Sequence, residues 1–376
     1  MIKKLIHLLL FISVCSFTNL HAQDEKPVFY EKLDRGLIRF YFDKYYYLVS
    51  KECEFKSIER VSRFDFTKQS FEGEFRDFAP NGNRILVGNY TDGKKEGLFQ
   101  AYHPNGVLKW EVTFRNNFPT GDWKYYYPDG KPLLTITYSE QGYFIKDYWD
   151  NRGRQEVMDG EGNYEFSIPF EGFTEFGFDF YLRKGKVKNG KPQGNWNTYF
   201  YNVGQQPVYA MTQRFLNGVL TTTYDDNGEL NNEDFLSLSI LPYDYFMRAE
   251  LFNSKSCSFD DYANFYAFLA KRFNDNLNKK GIEISQQVSF SYMVEVKKTG
   301  MANLRNLKLV SDSGSESFDG ILSGIAKSID FYFPTYRENK PQDDLIKVSG
   351  SITTGNDAKV YTHSIKIERQ IDNSSK

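Results

Sequence analysis

Between residues 73 and 140 apolar side chains recur on alternate positions in short runs, each broken by the same polar punctuation. Leu86, Trp110 and Leu134 share one column, Gly88, Val112 and Ile136 the next, and Tyr90, Phe114 and Tyr138 a third. A two-residue step between columns is the period of a strand with one buried face. The turns between runs, Asn81-Gly82, Asn105-Gly106 and Asp129-Gly130, are dipeptides that tolerate the positive φ angles of tight hairpins. Gly73, Gly97 and Gly121 form a second glycine series at the same 24-residue interval, and Phe75, Phe99 and Trp123, Phe78, Tyr102 and Tyr126, and Pro80, Pro104 and Pro128 keep the same period. Each 24-residue unit therefore predicts a β-hairpin. The register loosens after residue 140, where Asp150-Asn151-Arg152-Gly153 keeps only the turn, and it returns at Gly194 and Gly218, again 24 apart. Trp196 takes the column of Trp123, and one extra residue before Gly204 predicts a bulge or a longer turn. Residues 154–189 read as an irregular aromatic-rich segment or a degenerate repeat.

Past Leu230 the period changes. Ser258 followed three residues later by Asp261 is a helix-capping signal, and Tyr262, Phe265, Tyr266, Leu269, Phe273 and Leu277 then recur at three- and four-residue steps until Gly281. Alternation returns with Val288, Phe290, Tyr292, Val294 and Val296, and Lys298-Thr299-Gly300 turns the chain into a second strand, Leu304 to Val310. Phe318, Ile321, Leu322, Ile325 and Ile329 trace a helix, and Ile346, Val348 and Ile352 begin the last strands, an order of ββαββ. The expected fold is mainly β with an α+β C-terminal domain: tandem antiparallel hairpins, a helical connector, then the small ββαββ unit. The expected boundaries are 1–22 for an export signal, 23–72 for lead-in strands or a degenerate repeat, 73–230 for the repeats, 231–285 for the connector and 286–376 for the last domain.

Composition agrees with this pattern. Aromatics make up 17% of 376 residues, with 34 Phe, 27 Tyr and 28 Gly, which favours short strands and tight turns over a helical bundle. Lys3 and Lys4 precede an apolar run from Leu5 to Phe17 that is shorter than the roughly 18 to 20 residues needed to span a bilayer, and Leu20-His21-Ala22-Gln23 offers a cleavage point. Export to the periplasm or the outer-membrane surface is the expectation, with no integral span after cleavage. Loss of Lys3 and Lys4 from 47 basic residues against 49 acidic ones leaves a net charge of about −4, which does not favour nucleic acid. Cleavage also removes Cys15. Cys53 and Cys257 then remain in a compartment where a disulfide can persist, but their separation in sequence carries no information on proximity, so two separate buried thiols are the favoured expectation.

The pattern Gly-x-Trp-x-x-Tyr-x-x-x-Asp-Gly from Gly121 to Gly130 resembles the MORN family of repeats, over residues 73–230. That resemblance implies a binding or scaffolding role. Val294 to Gly300 as strand and turn, Ser317-Phe318-Asp319 opening a helix and Phe331-Tyr332-Phe333-Pro334 closing it resemble the C-terminal domain of the TonB family, over about 286–368. The second resemblance implies strand addition to a partner segment, with the late strands near Val360, Ile365 and Ile367 as candidates.

Catalytic and metal-binding motifs are missing from the sequence. Beyond the signal only His103 and His363 remain, there is no Cys-x-x-Cys and no Gly-x-Ser-x-Gly, and Gly185 to Lys191 has phosphate-loop spacing until Pro192 replaces the hydroxyl residue. A non-enzyme without cofactor or metal is expected. Gly73, Gly82, Gly97, Gly106, Gly121, Gly130, Gly194, Gly218, Trp123 and Trp196 are read as structural repeat positions. The varying columns suggest a partner surface instead: Tyr125, with column mates Asp77 and Ala101, and Tyr127, with Ala79 and His103. The expected partner is an envelope protein; the alternative is a polysaccharide stacked on exposed repeat aromatics.

Overall fold

A computed structural model describes residues 27–174, 176–230, 238–337 and 340–370. The signal segment 1–22 lies outside the described residues.

The alternating runs form one 18-stranded antiparallel meander in which each strand pairs with its neighbours in sequence. Lead-in strands Tyr30–Lys32, Ile38–Phe42 and Ile58–Asp65 open it, and Gly228–Leu230 closes it. Within residues 154–189 the strands Gln155–Met158, Glu161–Pro169 and Phe180–Lys188 continue the meander, with Gly162–Pro169 paired to Phe180–Val187 and a long connection between them, so the segment combines hairpin strands with an irregular stretch. The two glycine series have different jobs. Gly82, Gly106 and Gly130 sit in hairpin turns, each donating its N–H to the carbonyl three residues earlier. Gly73, Gly97, Gly121 and Gly194 lie within strands at φ of +69° to +84°, beside shifts in pairing register, and so act as left-handed bulge residues. Gly218 keeps the 24-residue spacing from Gly194 but not its role. It occupies the turn after Leu216, because the preceding hairpin is longer than the earlier ones.

Turns and bulges interlock. Glu72, Glu96, Glu161 and Gln193 each precede a strand glycine, and each accepts a backbone N–H from the next turn along, at Gly93, Asn116, Asn189 and Asn217. At these four positions a repeat thereby ties off a backbone donor of its successor.

One face of the meander is aromatic. Phe75, Phe99, Phe114, Trp110 and Trp123 form a chain of ring contacts 4.8–6.0 Å apart, and Tyr148, Tyr164, Trp196 and Phe215 continue it further along the sheet. Buried rings of this size need a cover, and the chain provides it by turning back. Residues 238–255 run across this face in reverse order of the strands. Arg183 donates to the Leu238 carbonyl and Tyr164 to that of Ile240; Phe246 lies between Phe99, Trp110 and Phe114; Phe252 reaches Phe40, Phe64 and Phe71. Polar anchors hold this strap down. Glu250 receives Lys95 Nζ at 2.6 and 2.7 Å and Tyr90 Oη at 2.8 Å, and Leu48 exchanges backbone bonds with Asn253 and Lys255.

At the end of the strap Cys53 and Cys257 are bonded, with Cα atoms 5.5 Å apart. The expectation of two separate thiols is corrected, because the strap returns its end to the lead-in strands, an approach invisible in the linear sequence.

The C-terminal domain has the ββαββ order, with a sheet arranged Ala302–Ser311, Val288–Val296, Asp344–Thr354, Val360–Glu368 and a small hairpin, Thr335–Arg337 with Lys340–Gln342, before its third strand. Helices Phe265–Lys279 and Glu316–Ala326 share its core: Phe265, Leu269, Phe273 and Leu277 are buried with Phe290, Tyr292, Leu322 and Val348. The two units meet where residues 170–179 replace a hairpin turn. Phe173 stacks on Phe331 and packs edge-on against Phe265, Phe268 and Phe333, while Arg248 forks onto Glu171 at 2.6 and 2.9 Å.

Phe246→Ala should destabilise the protein by about 3–5 kcal/mol, the usual cost of truncating a fully buried Phe. Cys257→Ser should cost about 2–5 kcal/mol, since the bond closes a loop of 204 residues. Urea unfolding of each variant checks both, and losses below 1 kcal/mol would show that the strap does not carry the fold.

Candidate functional site

The columns that vary between repeats do not form an outer surface as a set. Asp77, Ala101 and Tyr125 all point inward and are buried. Asp77 accepts both prongs of the equally buried Arg60 at 2.8 and 2.9 Å and the Tyr46 hydroxyl at 3.0 Å, whereas Tyr125 lies 5.7 Å from Trp123 in a stacked pair. This column varies because each copy meets a different inner neighbour, which corrects the reading of Tyr125 as an exposed aromatic. Burial pushes its hydroxyl well above the ordinary tyrosine range.

The adjacent column staples one turn to the next. His103 Nε2 lies 2.9 Å from the Tyr126 carbonyl, and Tyr127 Oη donates to that of Trp149 at 2.9 Å. Both side chains are half-buried. Trp123 and Trp196 are core residues, and Trp196 covers Gly185 so closely that a Cβ there would sit 2.3 Å from the ring.

The C-terminal candidates are also occupied. Val360 and Ile367 are buried, and Ile365 packs on the same core. Along the outer edge of this strand the N–H groups of Val360, Thr362 and Ile367 already donate to Asn278 Oδ1, Asn274 Oδ1 and Tyr266 Oη, from the helix Phe265–Lys279. Side chains thus close this edge against strand addition, a common way of protecting an edge strand.

The open place is elsewhere, where the register loosens. Strand Gly142–Trp149 turns into the four-residue strand Gln155–Met158, which pairs with Glu161–Pro169 only at Met158–Glu161 and Val157–Gly162. At that point the backbones nearly touch: a Cβ on Gly162 would meet the Glu156 carbonyl at 2.0 Å. Beyond it the two strands splay. Below it the turns seal the join, with Gly160 donating to Lys146, Gly190 to Gly160 and Ile145 to Gly190. The result is a wedge-shaped groove of about 1050 Å³ in the uncovered side of the meander. Tyr127, Tyr148, Asp150, Arg152, Arg154 and Glu156 line one wall, and Asn163, Glu165, Ser167, Lys184, Lys186 and Asn197 lie along the other. Of the partner-surface candidates named from the sequence, Tyr127 lines it and Tyr125, His103, Val360, Ile365 and Ile367 do not. The signal that locates the groove is the break in the 24-residue period after residue 140.

Arg154 bridges Asp150 and Glu156, and Lys184 pairs with Glu165 at 3.1 Å. Among the described residues neither Arg152 nor Lys186 makes a salt bridge, although the charge of Arg152 reaches Asp150 and helps to lower its pKa. Among the described residues no group of three or more His, Cys, Asp or Glu is placed to hold a metal ion, and no helix is long and apolar enough to cross a membrane.

The family model described as MORN repeat variant matches residues 95–116 and 119–140. The matched hairpins are thus MORN-like, and they are the ones whose turns, bulges and inner aromatics are most regular. The groove borders the second of them, at Tyr127 and Leu133. No curated protein matches the chain.

Buried tyrosines set the alkaline limit of the fold. Tyr47 and Tyr181 are pushed up to about 12, chiefly by burial, and burial also holds Tyr46, Tyr90, Tyr125 and Tyr164 well above the ordinary value. Folded values above the unfolded value of about 10 contribute stability that is fully present below pH 10 and lost as pH rises toward and beyond 12. Arg183 opposes this trend, since burial lowers it to about 10 and the fold then gains as pH passes from there to its ordinary value, but it is one group against many. Unfolding free energy measured against pH should therefore fall above pH 10, with the buried tyrosines' share of the tyrosinate absorbance appearing together with unfolding rather than before it.

Proposed function

We propose that this chain is an exported, non-catalytic interaction protein of the cell envelope, holding a protein partner on the outer face of its repeat sheet. The observation that carries this reading is the asymmetry of the sheet: the strap covers the aromatic face, while none of the described residues covers the polar face, which has a large groove in it. A hairpin array whose fixed positions are used up in folding has only its outer residues left for recognition. The resemblance of the last domain to the TonB C-terminal family and the Lys-Lys-apolar start of the sequence support an envelope location. The last domain orients the array rather than supplying a strand near Val360, because that edge is filled by Asn274, Asn278 and Tyr266.

Photo-crosslinking residues placed singly at Lys184 and Lys186 on the outer face, and at Val310 on the last domain, test this in cells of the source organism. A discrete protein adduct from the outer-face positions is expected. Adducts from Val310 alone, or release of product from a cell-wall polymer by the purified protein, would overturn the reading.

A further inference from the structure

The splayed strands leave one row of backbone groups without a partner. Residues Asn163 to Pro169 register with Lys186 to Phe180 on one side only; the strand on the other side stops pairing at Gly162. The alternation of the strand shows which groups are left over. Phe170, continuing the same register, donates its N–H to the Asp179 carbonyl, so even-numbered residues face strand Phe180–Lys188 and odd-numbered ones face the groove. Pro169, which has no N–H to give, falls on the groove-facing set, as a residue at an open edge should. Glu165 and Ser167 therefore turn N–H and C=O into the wedge, and among the described residues nothing outside the Phe180–Lys188 pairing bonds to them. Strand Val360–Glu368 shows what this chain does with an edge it closes: three side chains cap it. Among the described residues the edge at Glu165 and Ser167 has no such caps.

We propose that the wedge is a strand-addition site, in which an extended segment of a partner protein pairs with the Glu165–Ser167 edge and completes the sheet between its two halves. The inference rests on the reading of the chain as a protein-binding scaffold. Backbone pairing supplies affinity, and the walls supply choice. Arg152 and Lys186, neither of them held in a salt bridge among the described residues, select acidic side chains on the incoming segment, and Tyr127 and Tyr148 at the inner wall accept an apolar or aromatic one. A saccharide would use the same Asn and Tyr side chains but has no repeating N–H and C=O pair to meet the strand edge.

The test uses the full mature chain and a displayed library of linear twelve-residue peptides. Enriched peptides should be acidic and should slow amide exchange at Glu165 and Ser167. Methylating backbone nitrogens one at a time should weaken binding at least tenfold at every second peptide residue and leave the residues between unaffected. Ser167→Pro, which removes a groove-facing N–H and no ladder bond, should abolish binding with the thermal midpoint unchanged; Arg152→Glu with Lys186→Glu should abolish preference for acidic peptides if the proline variant unfolds. Binding without exchange protection at Glu165 and Ser167, or methylation effects without the alternation, would overturn the proposal. So would a peptidoglycan tetrasaccharide protecting these amides where peptides fail. Outer-face crosslinks in cells that survive Ser167→Pro would sink the wedge as the site and leave the scaffold reading intact.

Discussion

Water must be excluded from one aromatic face, and the architecture follows from how this is done. A meander this long buries nothing by itself, because a single antiparallel sheet has two faces and only one can be left to solvent without cost. Instead of a second sheet or a layer of helices, the chain folds its own segment 238–255 back over the rings and fastens the end with Cys53–Cys257. Fully burying one large aromatic side chain is worth about 1.5–3 kcal/mol, so the row from Phe40 to Trp196 dominates the stability of the repeat unit. The strap also fixes the C-terminal domain, since residues 245–264 carry both the cover and the contacts to residues 170–179. Sealing one face determines which face stays open.

The interruption of the meander has the same origin. Regular hairpins of 24 residues stack with bulge and turn in fixed phase, and the Glu72 and Glu96 side chains, just before the bulge glycines, accept from the following turns. The hairpin after Trp149 is too short to keep that phase. Its second strand ends at Met158, and Gly162 takes the only backbone that allows so close a crossing with Glu156. Pairing resumes beyond it at full length, but the upper ends have parted. A short strand therefore produces the groove, and one of its walls is a strand edge as well as a side-chain surface.

Much of this fold is written in the pattern of residues. The two-residue columns, the Asn-Gly and Asp-Gly turns and the later switch to three- and four-residue steps were sufficient for hairpins, a connecting helix and a ββαββ domain. What could not be read depends on which residues meet across long separations. Tyr125 varies between copies like a surface residue, yet it is buried, because inner neighbours also vary. Cys53 meets Cys257 only because the strap runs backward. The Val360 edge reads as a free strand until Asn274 and Asn278, more than eighty residues earlier, are seen to bond to it. The groove left a trace in the sequence, the lost period after residue 140, but a lost period marks an irregularity without saying that an edge opens there.

Amide hydrogen exchange along Glu161–Pro169 in the free protein tests most directly whether this edge is open. The N–H groups of Tyr164 and Phe166, paired with strand Phe180–Lys188, should be strongly protected, while those of Glu165 and Ser167 between them should exchange orders of magnitude faster. Uniform protection along the strand would mean that the sheet is closed at this point, and would contradict the account.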